Sequence, residues 1–234
     1  MWRHLVLALF LAVMGIIAGF ALADLSWWTW PALLAGWFVA DAASGLIHMV
    51  MDYHPCPAGK GLDDLFHYPG SRESADYQAL FRARMRAITA FQRICYDFKN
   101  HHPRPHALGR RDLWRQVGST LVIAALPLAL GLAVVFAVKP LPGWLAAFCF
   151  SGLLGGAFAQ YFHGTLHRDR NPVFIRTMRK LGLLMSPQAH QLHHDTLRRD
   201  FATNCGWSNA LINPVFSAMH RRGLLRDEGL EPRS

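Results

Sequence analysis

Long apolar blocks alternate with polar, charged stretches along this chain. Residues 5–23, 117–138 and 141–162 contain no charged side chain, and residues 30–51 contain only Asp41. About 20 residues at helical rise cross the hydrocarbon layer of a membrane, so blocks of this length are typical of transmembrane helices. The pattern therefore predicts an all-α integral membrane protein with about four transmembrane helices.

The two long polar stretches, residues 52–116 and 163–234, carry most of the basic side chains. Each contains eleven of the 24 Lys and Arg residues, and only Lys139 lies in a loop on the opposite side. Because Lys and Arg are enriched in cytoplasmic segments, we expect both stretches and both termini on the cytoplasmic side, in a bacterial inner membrane. We expect residues 1–234 to form a single membrane-embedded domain.

The first apolar block has an alternative interpretation. A short basic start, an apolar run and the small-residue sequence Ala21-Leu22-Ala23 also resemble a cleavable signal peptide. The run is longer than the usual apolar core of such a peptide, which favours an uncleaved membrane anchor.

The formal net charge of +9 raises the question of nucleic-acid binding. Neither a helix-turn-helix pattern nor an RNA-binding aromatic motif accompanies the basic residues. The charge is better explained by membrane topology and by attraction to anionic lipid head groups, so no nucleic-acid partner is expected.

Of the thirteen histidines, seven stand in closely spaced pairs or triplets on the predicted cytoplasmic side, and His48 lies near the inner end of the second span. Their spacing is regular, because residues three or four apart share one face of a helix and can bind the same ion or adjacent ions. The separation is four residues in H-x-x-x-H, and three and four in H-x-x-H-H. We therefore predict a histidine-rich cytoplasmic cap with these candidate metal ligands: His48, His101, His102, His163, His167, His190, His193 and His194.

Two carboxylates follow the same helical stripe as His48. Asp41 lies inside the second span, where an ionisable side chain is costly and indicates function. We expect Asp41 to accept the second N–H group of a ligating imidazole. Asp52, one turn after His48, can bind a metal directly or can instead extend to the membrane interface as a helix cap.

The ligand types restrict the chemistry. Imidazole suits iron, zinc and copper, whereas the four cysteines show no C-x-x-C spacing and so predict neither a disulfide framework nor a thiolate cluster. Eight histidines exceed the needs of one four-coordinate zinc ion and are enough for two metal ions. A pair of irons at a membrane face is suited to activating dioxygen for attack on an unactivated C–H bond.

Five stretches of this chain resemble, in order, the motifs of the Kua-type lipid desaturase domain family. That family includes plasmanylethanolamine desaturases and a plant desaturase that forms a trans double bond in an acyl chain of phosphatidylglycerol. The stretches are "DAASGLIHMVMD" (41–52), "FKNHHPRPHALGRRD" (98–112), "QYFHGTLH" (160–167), "GLLMSPQAHQLHH" (182–194) and "NCGWSN" (204–209).

The resemblance implies a membrane enzyme that introduces a C=C bond into an alkyl or acyl chain of a phospholipid. It implies two iron ions held by the eight histidines, with dioxygen as co-substrate and electrons from a separate ferredoxin or cytochrome. Asp52 matches a family aspartate. As basic residues near the membrane surface, Arg104, Arg110 and Arg111 are candidates for contact with the lipid phosphate, or they belong only to the general excess of positive charge on the cytoplasmic side.

The chain also departs from the family pattern. Residues 53–90 form a longer link than usual and contain the unassigned His54 and His67, while Met49 stands where tryptophan is common. His190 is single where many ether-lipid enzymes have a doubled histidine, and its motif is closer to the plant acyl desaturase. Three alternatives remain open, namely a diiron lipid hydroxylase, a non-enzymatic membrane metal-binding or transport protein, and a scaffold whose histidines cap helices.

Overall fold

The computed structural model describes the whole chain, Met1–Ser234, and the protein is built from helices without any β-strand. Four helical segments are long and apolar enough to cross a membrane, which confirms the predicted fold class. In chain order the α-helices are α1 (Trp2–Ala23), α2 (Thr29–Tyr53), α3 (Leu62–Phe66), α4 (Ala75–Arg86), α5 (Ala90–His101), α6 (Pro105–Gly109), α7 (Leu113–Thr120), α8 (Leu126–Val138), α9 (Gly143–Leu166), α10 (Val173–Lys180), α11 (Pro187–Thr196) and α12 (Asn209–Arg221).

The third spanning segment contains a π-helical turn. Leu121–Ala125 joins α7 to α8, and the N–H group of Leu126 bonds to the carbonyl of Leu121. Pro127 follows directly and has no N–H group to donate, so a local change of helical hydrogen bonding lets the segment continue without a break. The segment as a whole runs from Leu113 to Val138 and begins four residues before the apolar block.

The surface of the four long helices is apolar where it is exposed. Only 22–39% of the most apolar part of each spanning segment is buried by protein. Leu5 and Ile123, for example, are 62% and 78% exposed. In water such a surface would be strongly unfavourable, whereas in a bilayer it faces lipid.

Helix α2 packs most closely against α9, at a contact made by small residues. A Cβ atom on Gly36 would collide with the carbonyl of Phe148, and one on Gly155 would lie 2.6 Å from the Cβ of Ala40. Such residues let two helix backbones approach each other inside a membrane. The small-residue stretch 151–157 of α9 is therefore part of a close helix contact.

Replacing Gly155 by Leu is expected to lower the free energy of unfolding by at least about 1–3 kcal/mol, because the larger side chain pushes α9 away from α2. Gly156 provides a matched control, since a Cβ atom there has no neighbour within 4 Å. Thermal unfolding in detergent should show a lower midpoint for Gly155→Leu and little change for Gly156→Leu. Equal destabilisation of both variants would contradict this packing.

Residues 53–90 form an ordered cap that supports α5. Helices α3 and α4 share a hydrophobic cluster with α5, in which Leu65 and Tyr96 are fully buried. The guanidinium of Arg72 donates to the carbonyl of Leu65 at 2.7 Å and to Oδ1 of Asn100 at 3.0 Å. This extra segment therefore holds the end of α5 that carries the paired histidines.

Candidate metal centre

Helices α2, α5, α9 and α11 bring all eight predicted histidines together at one end of the helix bundle. The rings form a continuous set, with centroids 4.2 Å apart for His101 and His102 and 5.0 Å apart for His48 and His163. The paired histidines end α5, which begins with a capping box at Thr89. Ser186 is the N-cap residue of α11, and its hydroxyl accepts a hydrogen bond from the N–H of Ala189.

The side chains divide into two adjoining groups, and within each the potential ligand atoms lie within 4.8 Å of one another. Cysteine contributes to neither group. The five-histidine group consists of His101, His163, His167, His190 and His194, and the Asp52 group consists of His48, Asp52, His102 and His193.

His190 is the centre of the five-histidine group. Its Nε2 atom lies 3.1 Å from that of His163, 3.2 Å from that of His167 and 3.1 Å from that of His194. A ring nitrogen carries either one hydrogen or one lone pair, so this atom cannot satisfy all three neighbours by hydrogen bonds. A cation between the nitrogens removes the repulsion that remains, and the group therefore suits a metal ion.

The Asp52 group surrounds a carboxylate. Asp52 is completely buried in the last turn of α2, so it does not extend to the interface as a cap, which was one of the two interpretations from sequence. Its oxygens lie 3.2–3.4 Å from the Nε2 atoms of His48, His102 and His193. Neither oxygen has a hydrogen-bond partner in suitable geometry.

Backbone carbonyls fix which nitrogen of His48 and of His193 faces the centre. Nδ1 of His48 lies 2.9 Å from the carbonyl of Phe201, and Nδ1 of His193 lies 2.8 Å from that of Arg199. A carbonyl only accepts, so in each ring Nδ1 carries the hydrogen, and Nε2 of the neutral ring presents a lone pair. Those lone pairs point at the Asp52 carboxylate, an arrangement that a bound cation makes favourable.

Five of the clustered histidines outside the spanning helices are held in the neutral form by a lowered pKa. Burial lowers the pKa of His102 to about 3, despite the nearby carboxylate, and burial followed by repulsion from other imidazoles lowers the pKa of His167 to about 3 and of His194 to about 4. The same causes place the pKa of His101 and His190 well below its ordinary value. Neutral imidazole is the form that binds metals.

Asp41 has a different place from the one predicted. Its two oxygens accept four hydrogen bonds of 2.7–3.0 Å, from the N–H groups of Cys205, Gly206 and Ser208 and from the Ser208 hydroxyl. The expected contact between Asp41 and an imidazole is wrong, because the loop of residues 204–209 occupies the carboxylate and the backbone supplies the second hydrogen bond of His48. Asp41 anchors this loop to α2.

The sequence patterns did not predict a structural role for Lys99. Its side chain is fully buried, and Nζ donates to the carbonyls of Met51 at 2.9 Å and Asp52 at 2.6 Å. A cation at the C-terminus of a helix compensates unpaired carbonyls, so Lys99 joins α5 to the end of α2 that carries Asp52. Its position two residues before His101 gave no indication of this partner, which lies 47 residues away.

The three arginines considered for lipid binding differ in surroundings. Arg104 donates to the carbonyl of Phe66 at 2.9 Å and to Asn100 at 3.1 Å, and so braces the cap over α5. Arg111 lies 3.7 Å from Asp97, whereas Arg110 is exposed and has no ion pair. His54 and His67 are also exposed and contribute to neither metal group.

Comparison with known proteins identifies a family and one relative that are similar to this chain. The sequence model of the family described as "Lipid desaturase domain" matches residues 87–234, which include seven of the eight clustered histidines. A plasmanylethanolamine desaturase from Myxococcus xanthus is 24% identical over 216 residues, covering 89% of this chain and 64% of that protein. This chain therefore spans less than two thirds of that relative's length.

No solved structure matches this chain. The family match alone covers more than half of the sequence and contains the histidine motifs of α5, α9 and α11. The chain therefore belongs to the lipid desaturase domain family.

Proposed function

We propose that this protein is a membrane phospholipid desaturase that uses two iron ions, dioxygen and externally supplied electrons to introduce a C=C bond into an alkyl or acyl chain. One observation carries the proposal. Nine side chains from four helices bring potential metal-ligand atoms into two adjoining groups at the end of a membrane-spanning bundle, in a chain that belongs to a lipid desaturase family.

The residues present fit two iron ions. The five-histidine group would hold one and the Asp52 group the other, since imidazole with few carboxylates and no thiolate suits this metal. Bound iron would supply the activation of dioxygen that no side chain can provide. In the balanced reaction, two neighbouring CH₂ groups lose one hydrogen each, and dioxygen, two electrons and two protons yield two waters.

A cavity of about 360 Å³ reaches the metal centre from between α2, α5, α7 and α9. His48, His101 and His163 line it, together with apolar side chains such as Ile47 and Leu108. This cavity would place two neighbouring carbons of the lipid beside the metal groups, where a small displacement costs orders of magnitude in rate. Arg111 and the exposed Arg115 also line the cavity and would contact the lipid phosphate.

The identity of the oxidised chain is part of the proposal. The bacterial relative is named as a plasmanylethanolamine desaturase, which favours an ether-linked alkyl chain. The single histidine at His190 instead resembles the plant acyl enzyme. Assays with deuterated alkyl-ether and diacyl phospholipids would separate the two, because only the true substrate loses deuterium.

We further propose that residues 1–234 act as a single membrane-embedded domain in a bacterial inner membrane, with the metal centre on the cytoplasmic side. The excess of Lys and Arg at the end of the bundle that holds the histidines supports this orientation. Lys60 is exposed and lies in the segment predicted to be cytoplasmic. In a Lys60→Cys variant, a membrane-impermeant thiol reagent should label the new cysteine only after the cells have been opened. Labelling in intact cells would reverse the orientation.

Mass spectrometry of lipids tests the reaction itself. Cells that express the protein should accumulate phospholipids lighter by two hydrogens, and purified protein should contain about two irons per chain. A product that gains one oxygen would indicate the hydroxylase. Labile zinc without any oxygen-dependent lipid change would indicate a metal-binding or transport protein, and normal activity and metal content in His101→Ala and His193→Ala would indicate a scaffold.

A further inference from the structure

A second cavity, of about 640 Å³, opens beside the five-histidine group and has no hydrophobic lining residue. We call it the basic cleft. Its absence of apolar lining makes it unsuited to a lipid chain, in contrast to the cavity that reaches His48 and His163. The basic cleft is lined by His106, Gly109, Arg110, His167, Arg168, Asp169 and Arg170.

The cleft is strongly positive. Three arginines face a single carboxylate, Asp169, and none of the ion pairs in the structure involves Arg110, Arg168 or Arg170. Arg110 and Arg170 are exposed to solvent. Uncompensated charge in a concave surface concentrates the field and attracts an anionic partner.

The cleft also contacts the metal centre directly. His167 is half-buried, lines the cleft, and has its Nε2 atom 3.2 Å from that of His190. A partner seated in the cleft would therefore touch the outer edge of an imidazole whose inner edge faces the proposed metal ion.

The walls of the cleft are fixed in place. A Cβ atom on Gly109 would collide with the backbone carbonyl of His167, so the C-terminal end of α6 lies directly on the end of α9. Arg168 donates from Nε to the carbonyl of Gly109 at 2.8 Å and from Nη2 to Gln116 Oε1 at 3.3 Å. A preorganised surface of this kind binds a partner with little loss of conformational entropy.

We propose that the basic cleft is the docking surface for an acidic one-electron iron–sulfur protein of the ferredoxin class, which delivers electrons through His167. This inference rests on the proposed function, which requires two external electrons for each double bond. Each encounter would oxidise the donor cluster by one electron and pass that electron to the iron that the five-histidine group would hold, so two encounters would supply one turnover.

The test uses full-length protein in detergent and a plant-type [2Fe–2S] ferredoxin of negative net charge. The variant Arg110→Glu with Arg170→Glu reverses two exposed charges without touching a candidate metal ligand. The control, Arg82→Glu with Arg86→Glu, makes the same change in net charge on exposed positions of α4. Binding is measured on both metal-free and iron-loaded protein at low and high salt.

We expect the cleft variant to bind ferredoxin about 10-fold or more weakly at low salt and to lose most of the salt dependence, as charge reversal acts mainly on electrostatic attraction. The control should bind like the wild type. Iron content should stay unchanged in both variants. Turnover driven by a small uncharged reductant should also be unaffected.

Other outcomes overturn the docking proposal. If the control variant bound ferredoxin as weakly as the cleft variant, the effect would come from net charge in general and not from the cleft. If the wild type did not bind ferredoxin, this class of donor would be excluded. Weaker binding of anionic phospholipid vesicles with unchanged ferredoxin binding would identify a lipid head-group site instead. Because binding to metal-free protein is measured separately from lipid products, failure of the desaturase proposal remains distinguishable from failure of this one.

Discussion

Replacing Asp52 by Asn is expected to reduce the iron content from about two to about one per chain and to lower desaturation by at least about 100-fold. Asn has nearly the same shape but no negative charge to balance a cation. Asp52 is fully buried and faces three Nε2 atoms, so no water can replace the lost oxygen ligand without rearrangement. Metal analysis by mass spectrometry and a lipid product assay measure the two effects.

Asp195→Asn is the matched control for this experiment. Asp195 lies on α11 close to His193 and His194, but it is exposed and accepts a hydrogen bond only from Gln191 at 2.8 Å. We expect this control to retain both irons and nearly full activity. An Asp52→Asn protein that folds, keeps two irons and remains active would remove Asp52 from the proposed metal site.

Replacing Asp41 by Ala is expected to lower the free energy of unfolding by about 3–5 kcal/mol, because four donors in the loop of residues 204–209 would lose their acceptor inside the protein. Loss of this anchor would also weaken the packing of Phe201 and Ala202 against α2, since these residues lie just before the loop and cluster with Met49. Unfolding in detergent, followed by circular dichroism, measures the change.

Asp41→Asn separates an anchoring role from a catalytic one. Its carbonyl oxygen can still accept hydrogen bonds, so we expect a smaller loss of stability than for Asp41→Ala, with both irons and activity retained at low temperature. Ser44→Ala is a suitable control on the same helix, since the Ser44 hydroxyl donates only to the backbone carbonyl of Asp41 at 2.8 Å. Loss of activity in a stable Asp41→Asn protein would contradict the anchoring role.

The local properties of the chain could be predicted from the sequence. Apolar blocks long enough to cross a membrane identify their own helices, because spanning length and hydrophobicity are features of neighbouring residues. The histidine spacing in α9 and α11 is local in the same sense, since helical geometry places residues three and four apart on one face. Asp52 was correctly placed near His48 for that reason, one turn away along α2.

Contacts between segments that are distant in the sequence could not be predicted in this way. Asp41 was assigned to an imidazole because both lie on one helical stripe, yet the carboxylate turns to a loop more than 160 residues away. Lys99 gave no indication of its role, and Arg104 was considered for lipid binding although it braces the cap. In each case at least one partner is a backbone group of a distant segment, which sequence patterns do not reveal.

The sequence by itself determined that this protein has four apolar spans, that eight histidines occupy their polar ends, and that these residues suit a pair of metal ions. Only the tertiary structure decided how the side chains divide into a five-histidine group and an Asp52 group, and which ring nitrogen faces inward. The physical reason is that the choice of nitrogen depends on carbonyls such as that of Phe201, 153 residues from His48. Their approach is set by the packing of α2, α5, α9 and α11 and not by any local pattern.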